Sequence, residues 1–103
     1  MSEAERRSQI RRALFRAVEE VNGLLDPGAR LKPDLSTPLL GDGASLDSLG
    51  LVNLLVAAEE ELEQELGRAV SLTSDLGTDA AAFRTLGSLA DRVDELVRGT
   101  PAP

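Results

Sequence analysis

Apolar residues recur at helical spacing in three stretches of the chain. The first stretch predicts a helix from about Glu3 to Leu25, because its apolar positions fall three and four residues apart on one face. That face consists of Ile10, Leu14, Ala17, Val21 and Leu25. The turn-forming residues Asp26-Pro27-Gly28 follow, so we expect the helix to end before them. Five arginines in its first half are interpreted as a solvated basic face; they are Arg6, Arg7, Arg11, Arg12 and Arg16.

The second stretch predicts a helix from about Ser48 to Leu66, with Asp47 as its N-cap and Gly67 ending it. At 100° per residue an inward stripe forms from Leu51, Leu55, Ala58, Leu62 and Leu66, flanked by Val52 and Leu54. Leu55 is therefore expected in the core. Its neighbour Val56 is expected on the surface.

The third stretch predicts a last helix capped by Thr85. Its apolar stripe is Leu86, Leu89, Val93 and Leu96, with Ala90 and Val97 beside it. Between Ala69 and Phe83 the pattern is weaker, and Thr78 is expected to cap a short helix over Asp79 to Phe83.

A long connection, residues 26–46, separates the first two helices and carries three prolines. Connections of this length are uncommon in compact domains and are often functional. Four leucines should attach it to the core as an ordered crossover: Leu31, Leu35, Leu39 and Leu40. The predicted fold is all-α, a small four-helix bundle of three main helices and one short helix. One domain is expected over residues 1–98, followed by a disordered tail over 99–103.

Composition and charge narrow the possible functions. The chain has 103 residues and a net charge of −7, and it contains no His and no Cys. The seven acids of residues 1–46 balance seven bases, whereas residues 47–103 hold eleven acids against four bases. That asymmetry disfavours nucleic acid and anionic lipid and favours a partner with a basic surface. No signal peptide or membrane span is evident, so a cytoplasmic protein is expected. A monomer is also expected. Ten arginines to one lysine suggest a bacterial source.

The C-terminal half of the second helix is crowded with acids: Glu59, Glu60, Glu61, Glu63 and Glu65. Carboxylates there face the negative end of the helix dipole and repel each other at i, i+4, so the cluster should cost stability. A solvated face is the plain interpretation; a docking role better explains a costly cluster. The wheel aligns Leu49, Asn53, Val56, Glu60 and Glu63 in one outward stripe that starts beside Ser48.

Ser48 opens the second helix, where a phosphate ester would meet free backbone N–H groups. A nucleophilic serine needs an activating base, and no His, Lys or Cys neighbours this one in sequence. A G-x-S-x-G elbow and a metal-ligand cluster are also absent from the sequence. An enzyme is therefore the least favoured hypothesis. No catalytic residue and no metal site are expected. Ser48 is better explained as an attachment point.

Taken together, these residues resemble an acyl carrier protein of the phosphopantetheine-binding family. The similarity is carried by the loop and helix start of residues 40–49, by the helix of residues 51–62 and, more weakly, by residues 83–89. It covers roughly residues 8–97, and its Asp47-Ser48-Leu49 tripeptide would be weak evidence alone.

The resemblance implies that Ser48 carries 4′-phosphopantetheine, whose thiol holds acyl or aminoacyl groups as thioesters. The implied partners are a phosphopantetheinyl transferase, a loading ligase or transferase, and a downstream synthase with a basic docking surface. Asp47, Leu49, Val56 and Glu60 match positions that the family uses for docking. Fatty acid or polyketide biosynthesis are the usual settings. Many fatty-acid carriers have acids where this chain has Gly50 and Asn53, and the Gly-Gly-His-Ser loop of many peptidyl carriers is absent, so a specialised pathway is expected.

Two alternatives stay open at this point. Ser45-Leu46 repeats the Ser48-Leu49 pair three residues earlier, although it lacks the preceding aspartate and lies before the helix. The competing function is a non-carrier interaction module, an acidic helical domain that docks a basic partner without a prosthetic arm.

Overall fold

Three α-helices make up most of the chain in the computed structural model, which describes residues 2–41, 43–44, 46–73 and 80–99. They are α1 (Glu3–Asn22), α2 (Ser48–Leu66) and α3 (Leu86–Gly99). Two short 3-10 helices, Pro27–Ala29 and Ala80–Phe83, lie in the connections. Over the described ranges there is no strand, only one isolated antiparallel bridge between Pro38 and Thr85.

The all-α prediction is confirmed, whereas a four-helix bundle is not. The expected short helix is a single 3-10 turn, Ala80–Phe83; its proposed cap Thr78 and first residue Asp79 lie outside the described residues. α1 ends three residues before the predicted Leu25. There the amides of Leu24 and Leu25 donate to carbonyls three residues back, which tightens the last turn and ends the α-helix.

The interior is aliphatic, as the apolar stripes predict. The innermost residues of α1, α2 and α3 lie in one cluster with Phe83 and Leu72. α1 and α2 run antiparallel, since Arg12 lies near Glu65 while Arg16 lies near Glu61. Three predicted core positions at the helix ends are only partly buried, namely Leu25, Leu66 and Leu96.

The crossover is tied to the start of α3 by backbone hydrogen bonds. The Leu39 amide donates to the Arg84 carbonyl at 2.7 Å, and the Leu86 amide to the Thr37 carbonyl at 3.0 Å. Leu31 and Leu39 are buried and Leu40 is partly buried, as predicted.

Leu35 was expected in the core, and that expectation is wrong: 38% of the residue is exposed. Its contact with α3 is made by its main chain, because the Leu35 carbonyl accepts from the Gly87 amide at 2.7 Å. A Cβ at position 87 would come within 2.9 Å of that carbonyl oxygen, so only glycine permits this approach.

The arginines of α1 do not form a simple solvated face. Asp94 of α3 is buried, and its Oδ1 accepts from Arg6 Nε at 2.6 Å. Its Oδ2 has ionic contacts, without aligned hydrogen bonds, to Arg98 Nε at 3.0 Å and Arg7 Nη2 at 3.5 Å. Burial alone would raise the pKa of Asp94, but the hydrogen bond and charge of Arg6, with Arg98 and Arg7, outweigh it and lower the pKa.

Further along α1, Arg12 and Arg16 pair with acids of α2. Four of the five arginines therefore join helices. The prediction of a solvated face is wrong for Arg6, which is mostly buried, whereas Arg7, Arg12 and Arg16 are exposed to solvent as well as paired. Of the helices described here, none is long and apolar enough to cross a membrane.

Candidate functional site

Ser48 is the first residue of α2 and is exposed. Asp47 before it has extended backbone angles, and its Oδ1 accepts from the Gly50 amide at 2.7 Å, which confirms the predicted N-cap. The first N–H groups of a helix have no acceptor within it. Asp47 takes the amide of Gly50, and among the described residues no acceptor is found for the amides of Ser48 and Leu49, so these two can bind an external acceptor.

The geometry suits an anionic ester on Ser48. The positive end of the α2 dipole and two helix-start amides are adjacent to its hydroxyl, and both favour a phosphate. The chain contains no imidazole or thiol to activate the hydroxyl.

Gly50 has a local role that the sequence analysis did not find. It is buried, and a Cβ there would lie 3.1 Å from Leu46 Cδ2 and 3.2 Å from Asp47 Oδ1. A larger residue would press on the atom that caps the helix. Gly50 therefore keeps the turn before Ser48 tightly packed.

The outward stripe of α2 is exposed as the wheel predicts. Leu49 is 69% exposed and Val56 43% exposed, whereas Leu55 is fully buried. Asn53 is exposed as well. An apolar side chain so exposed directly after Ser48 is available to another protein.

The glutamates of α2 separate into three groups, which the sequence did not reveal. Glu61 is buried and accepts from Arg16 Nε at 3.0 Å, while Glu65 accepts from Arg16 Nη2 at 3.0 Å and lies 3.6 Å from Arg12. The Arg16 hydrogen bond lowers the pKa of Glu61. Glu20 of α1 faces Glu61, and that contact raises the pKa of Glu20. The expectation that Glu61 and Glu65 simply repel each other is wrong, because Arg16 lies between them.

Glu59 has a different structural role. Its Oε2 accepts from the Leu72 amide at 2.6 Å and the Thr73 amide at 3.1 Å, so it ties the segment after α2 back onto the helix. Glu60 and Glu63 remain, and both are exposed.

A groove runs beside these two acids. Val56, Glu60 and Glu63 line one side together with Glu59, and residues 69–71 with Thr73 line the other. We call it the α2 groove. Its second wall was missed from the sequence, since residues 69–73 have weak periodicity. The structure therefore groups the predicted residues Val56, Glu60 and Glu63 in one concave surface.

The alternative serine, Ser45, lies outside the described residues. Among those that are described, no cluster of three or more acidic side chains could hold a metal ion. In comparisons with protein-family models, curated proteins and solved structures, the chain matches none.

Proposed function

We propose that this protein is an acyl carrier protein that bears 4′-phosphopantetheine on Ser48. The observation that carries the proposal is an exposed serine at the start of α2, next to two helix-start amides and followed by the exposed Leu49. The all-α fold and the absence of an activating base agree with attachment rather than catalysis.

The attachment reaction needs only the serine hydroxyl from this chain. Ser48 Oγ would form a bond to the phosphorus that bears the pantetheine arm in coenzyme A, and the pyrophosphate bond would break. The hydroxyl proton would go to a base of the transferase, and the nucleoside bisphosphate would leave. The thiol of the arm supplies the thioester that a chain without cysteine cannot form. The α2 amides would contact the phosphodiester.

The α2 groove is the proposed docking surface for the transferase, the loading enzyme and a downstream synthase. Val56 offers apolar contact, and Glu60 and Glu63 offer charge to basic side chains. Glu59, Glu61 and Glu65 already serve intramolecular contacts. A partner would therefore interact mainly with two acids of the five.

A specialised biosynthetic pathway is the proposed setting. Gly50 and Asn53 replace acids found in many fatty-acid carriers, and the structure gives Gly50 a packing role beside Leu46. A partner enzyme that binds acidic side chains at those two positions would lack these contacts with this protein.

The test is incubation with coenzyme A, Mg²⁺ and a broad phosphopantetheinyl transferase, followed by intact mass measurement. Wild type should gain the mass of one phosphopantetheine group. Ser48→Ala should abolish the gain, and the matched control Ser45→Ala should retain it. Modification that persists in Ser48→Ala would refute the assignment.

The α2 groove also favours a second candidate, a non-carrier module that docks a basic partner. Its acidic and apolar lining would serve that function without an arm. A chain that gains no mass with any transferase, yet whose Ser48→Ala variant binds its cellular partner as wild type does, would support this candidate.

A further inference from the structure

A second cleft, of about 240 Å³, lies beside Asp47, the residue that precedes Ser48. Its lining comes from both ends of the crossover and combines four apolar residues with two acids: Leu24, Leu25, Ala29 and Leu46 with Asp26 and Asp47. Ser48 does not itself line the cleft, but its Cα lies about 3.8 Å from that of Asp47, which does. We call it the crossover cleft.

Hydrogen bonds hold one wall of this cleft in place. The Asn22 side chain donates to the Leu31 carbonyl at 2.8 Å and accepts from the Leu31 amide at 2.7 Å. These two bonds close the loop of residues 23–30 onto the end of α1. The Leu24 amide donates to the Val21 carbonyl at 2.9 Å inside that loop.

Leu24 lies in this loop with its main chain held and its side chain exposed. It is 78% exposed, more than any other large hydrophobic residue that the structure describes. Its neighbour Leu25 packs partly against the core. A single exposed leucine is common and indicates nothing by itself. Leu24, however, lines the crossover cleft together with Leu25 and Leu46, so these side chains offer apolar contact to a group bound there.

The charges beside the cleft restrict its occupant. Asp26 and Asp47 are both exposed and disfavour an anion. The Asp47 carboxylate is already engaged by the Gly50 amide, so it is not free to recruit a cation alone. A neutral group with apolar carbons is the best match for the three leucines and the alanine.

We propose that the crossover cleft holds the neutral part of the arm on Ser48, namely the two methyl groups and the first amide that follow the phosphate. The phosphate would stay at the start of α2, where the amides of Ser48 and Leu49 face it. The arm would thus rest against the end of α1 whenever no partner enzyme holds it. This inference rests on the proposed function, because it needs the arm on Ser48.

Solution NMR of protein that intact mass shows to be fully modified tests this placement. The two methyl signals of the arm should be shifted from those of free phosphopantetheine and should show nuclear Overhauser contacts to Leu24 and Leu46. Leu24→Ser should return the arm signals toward the free positions. Leu35→Ser is the matched control, since Leu35 is an exposed leucine that does not line the cleft, and it should leave them shifted.

Three outcomes would overturn the inference. Arm signals equal to those of free phosphopantetheine would show that the arm does not contact the cleft. Contacts to Leu49 and Val56 instead would place it along α2. Failure of the chain to be modified at all would overturn both this inference and the proposed function, and intact mass identifies that case before any spectrum is recorded.

Discussion

Truncating Leu55 and Val56 to alanine should separate stability from docking, although the two residues are adjacent. Leu55 is fully buried between α1 and α2, so Leu55→Ala removes buried carbon atoms and leaves a cavity. Such changes cost about 2–5 kcal/mol. A domain of this size has a free energy of unfolding of about 5–15 kcal/mol, so the loss is a large fraction of the total.

Val56→Ala removes carbons from a side chain that is already 43% exposed. Full burial of a valine contributes at least about 1.5 kcal/mol, and only part of that applies here. Alanine is also the better helix former by a few tenths of a kcal/mol. The net cost should be below about 1 kcal/mol.

Thermal melts and single-turnover attachment of the arm measure the two effects. Each kcal/mol lowers the melting temperature by roughly 4–8 °C in a domain this small, so a loss of about 2 kcal/mol or more should make Leu55→Ala melt at least about 8 °C below wild type. Val56→Ala should melt within a few degrees of wild type but accept the arm more slowly. Equal destabilisation by the two variants would mean that the orientation assigned to α2 is wrong.

Three further predictions follow from the charges of the molecule. Replacing Glu60 and Glu63 by Lys should slow attachment of the arm several-fold without lowering the melting temperature, because both side chains are exposed. Asp94→Asn should cost about 1–3 kcal/mol at neutral pH by denaturant melts, and should flatten the acid limb of the stability profile. Asp47→Ala should cost about 1 kcal/mol, because the Gly50 amide loses its acceptor.

The docking prediction and the Asp94 prediction each have a defined contrary result, and Asp47→Ala as stable as wild type would contradict the capping role. Lysines at Glu61 and Glu65 are the control for the docking pair; they should destabilise the fold, and a docking variant that does the same would contradict the assignment. The pKa of Asp94 is lowered in the folded state, so its contribution is complete above the unfolded pKa of about 3.9 and is lost as pH falls through the folded value. If the stability of wild type falls with decreasing pH in the same way as that of Asp94→Asn, Asp94 does not make this contribution.

Local patterns were enough to predict α2. Its start depends on a side chain three residues from the amide it caps, and its end on Gly67, whose φ of 72° is in the left-handed region. Both signals lie within one turn of the helix end. The start of α3 is similarly local, since the Thr85 hydroxyl accepts from the Ser88 amide at 3.0 Å.

The distribution of the acids could not be predicted in the same way. A helical wheel shows that Glu61 and Glu65 share a face, but not that Arg16, 45 positions from Glu61, lies opposite them. The prediction that Leu35 lies in the core was wrong for a related reason. Its apolar side chain predicted burial, while the contact that matters is between its carbonyl and Gly87.

The proposed attachment site was found from the sequence because an N-cap, a serine and an exposed leucine are consecutive. The two concave surfaces beside it were not found. Each joins segments distant along the chain, such as Leu24 with Leu46, or Glu60 with Val70. Only the packed fold brings these residues together.

The hydrogen bonds between the crossover and α3 affect the order in which parts of the domain can unfold locally. Leu35, Thr37 and Leu39 are bonded through their main chains to residues about fifty positions later, so the chain between them, including α2, forms a loop closed at its base. Ser48 lies a few residues inside that closure. The crossover cannot swing away unless α3 releases its first turn as well. The crossover, although irregular, should therefore unfold together with the helices rather than separately. Fraying at the N-terminal end of α1 or the C-terminal end of α3 need not displace Ser48.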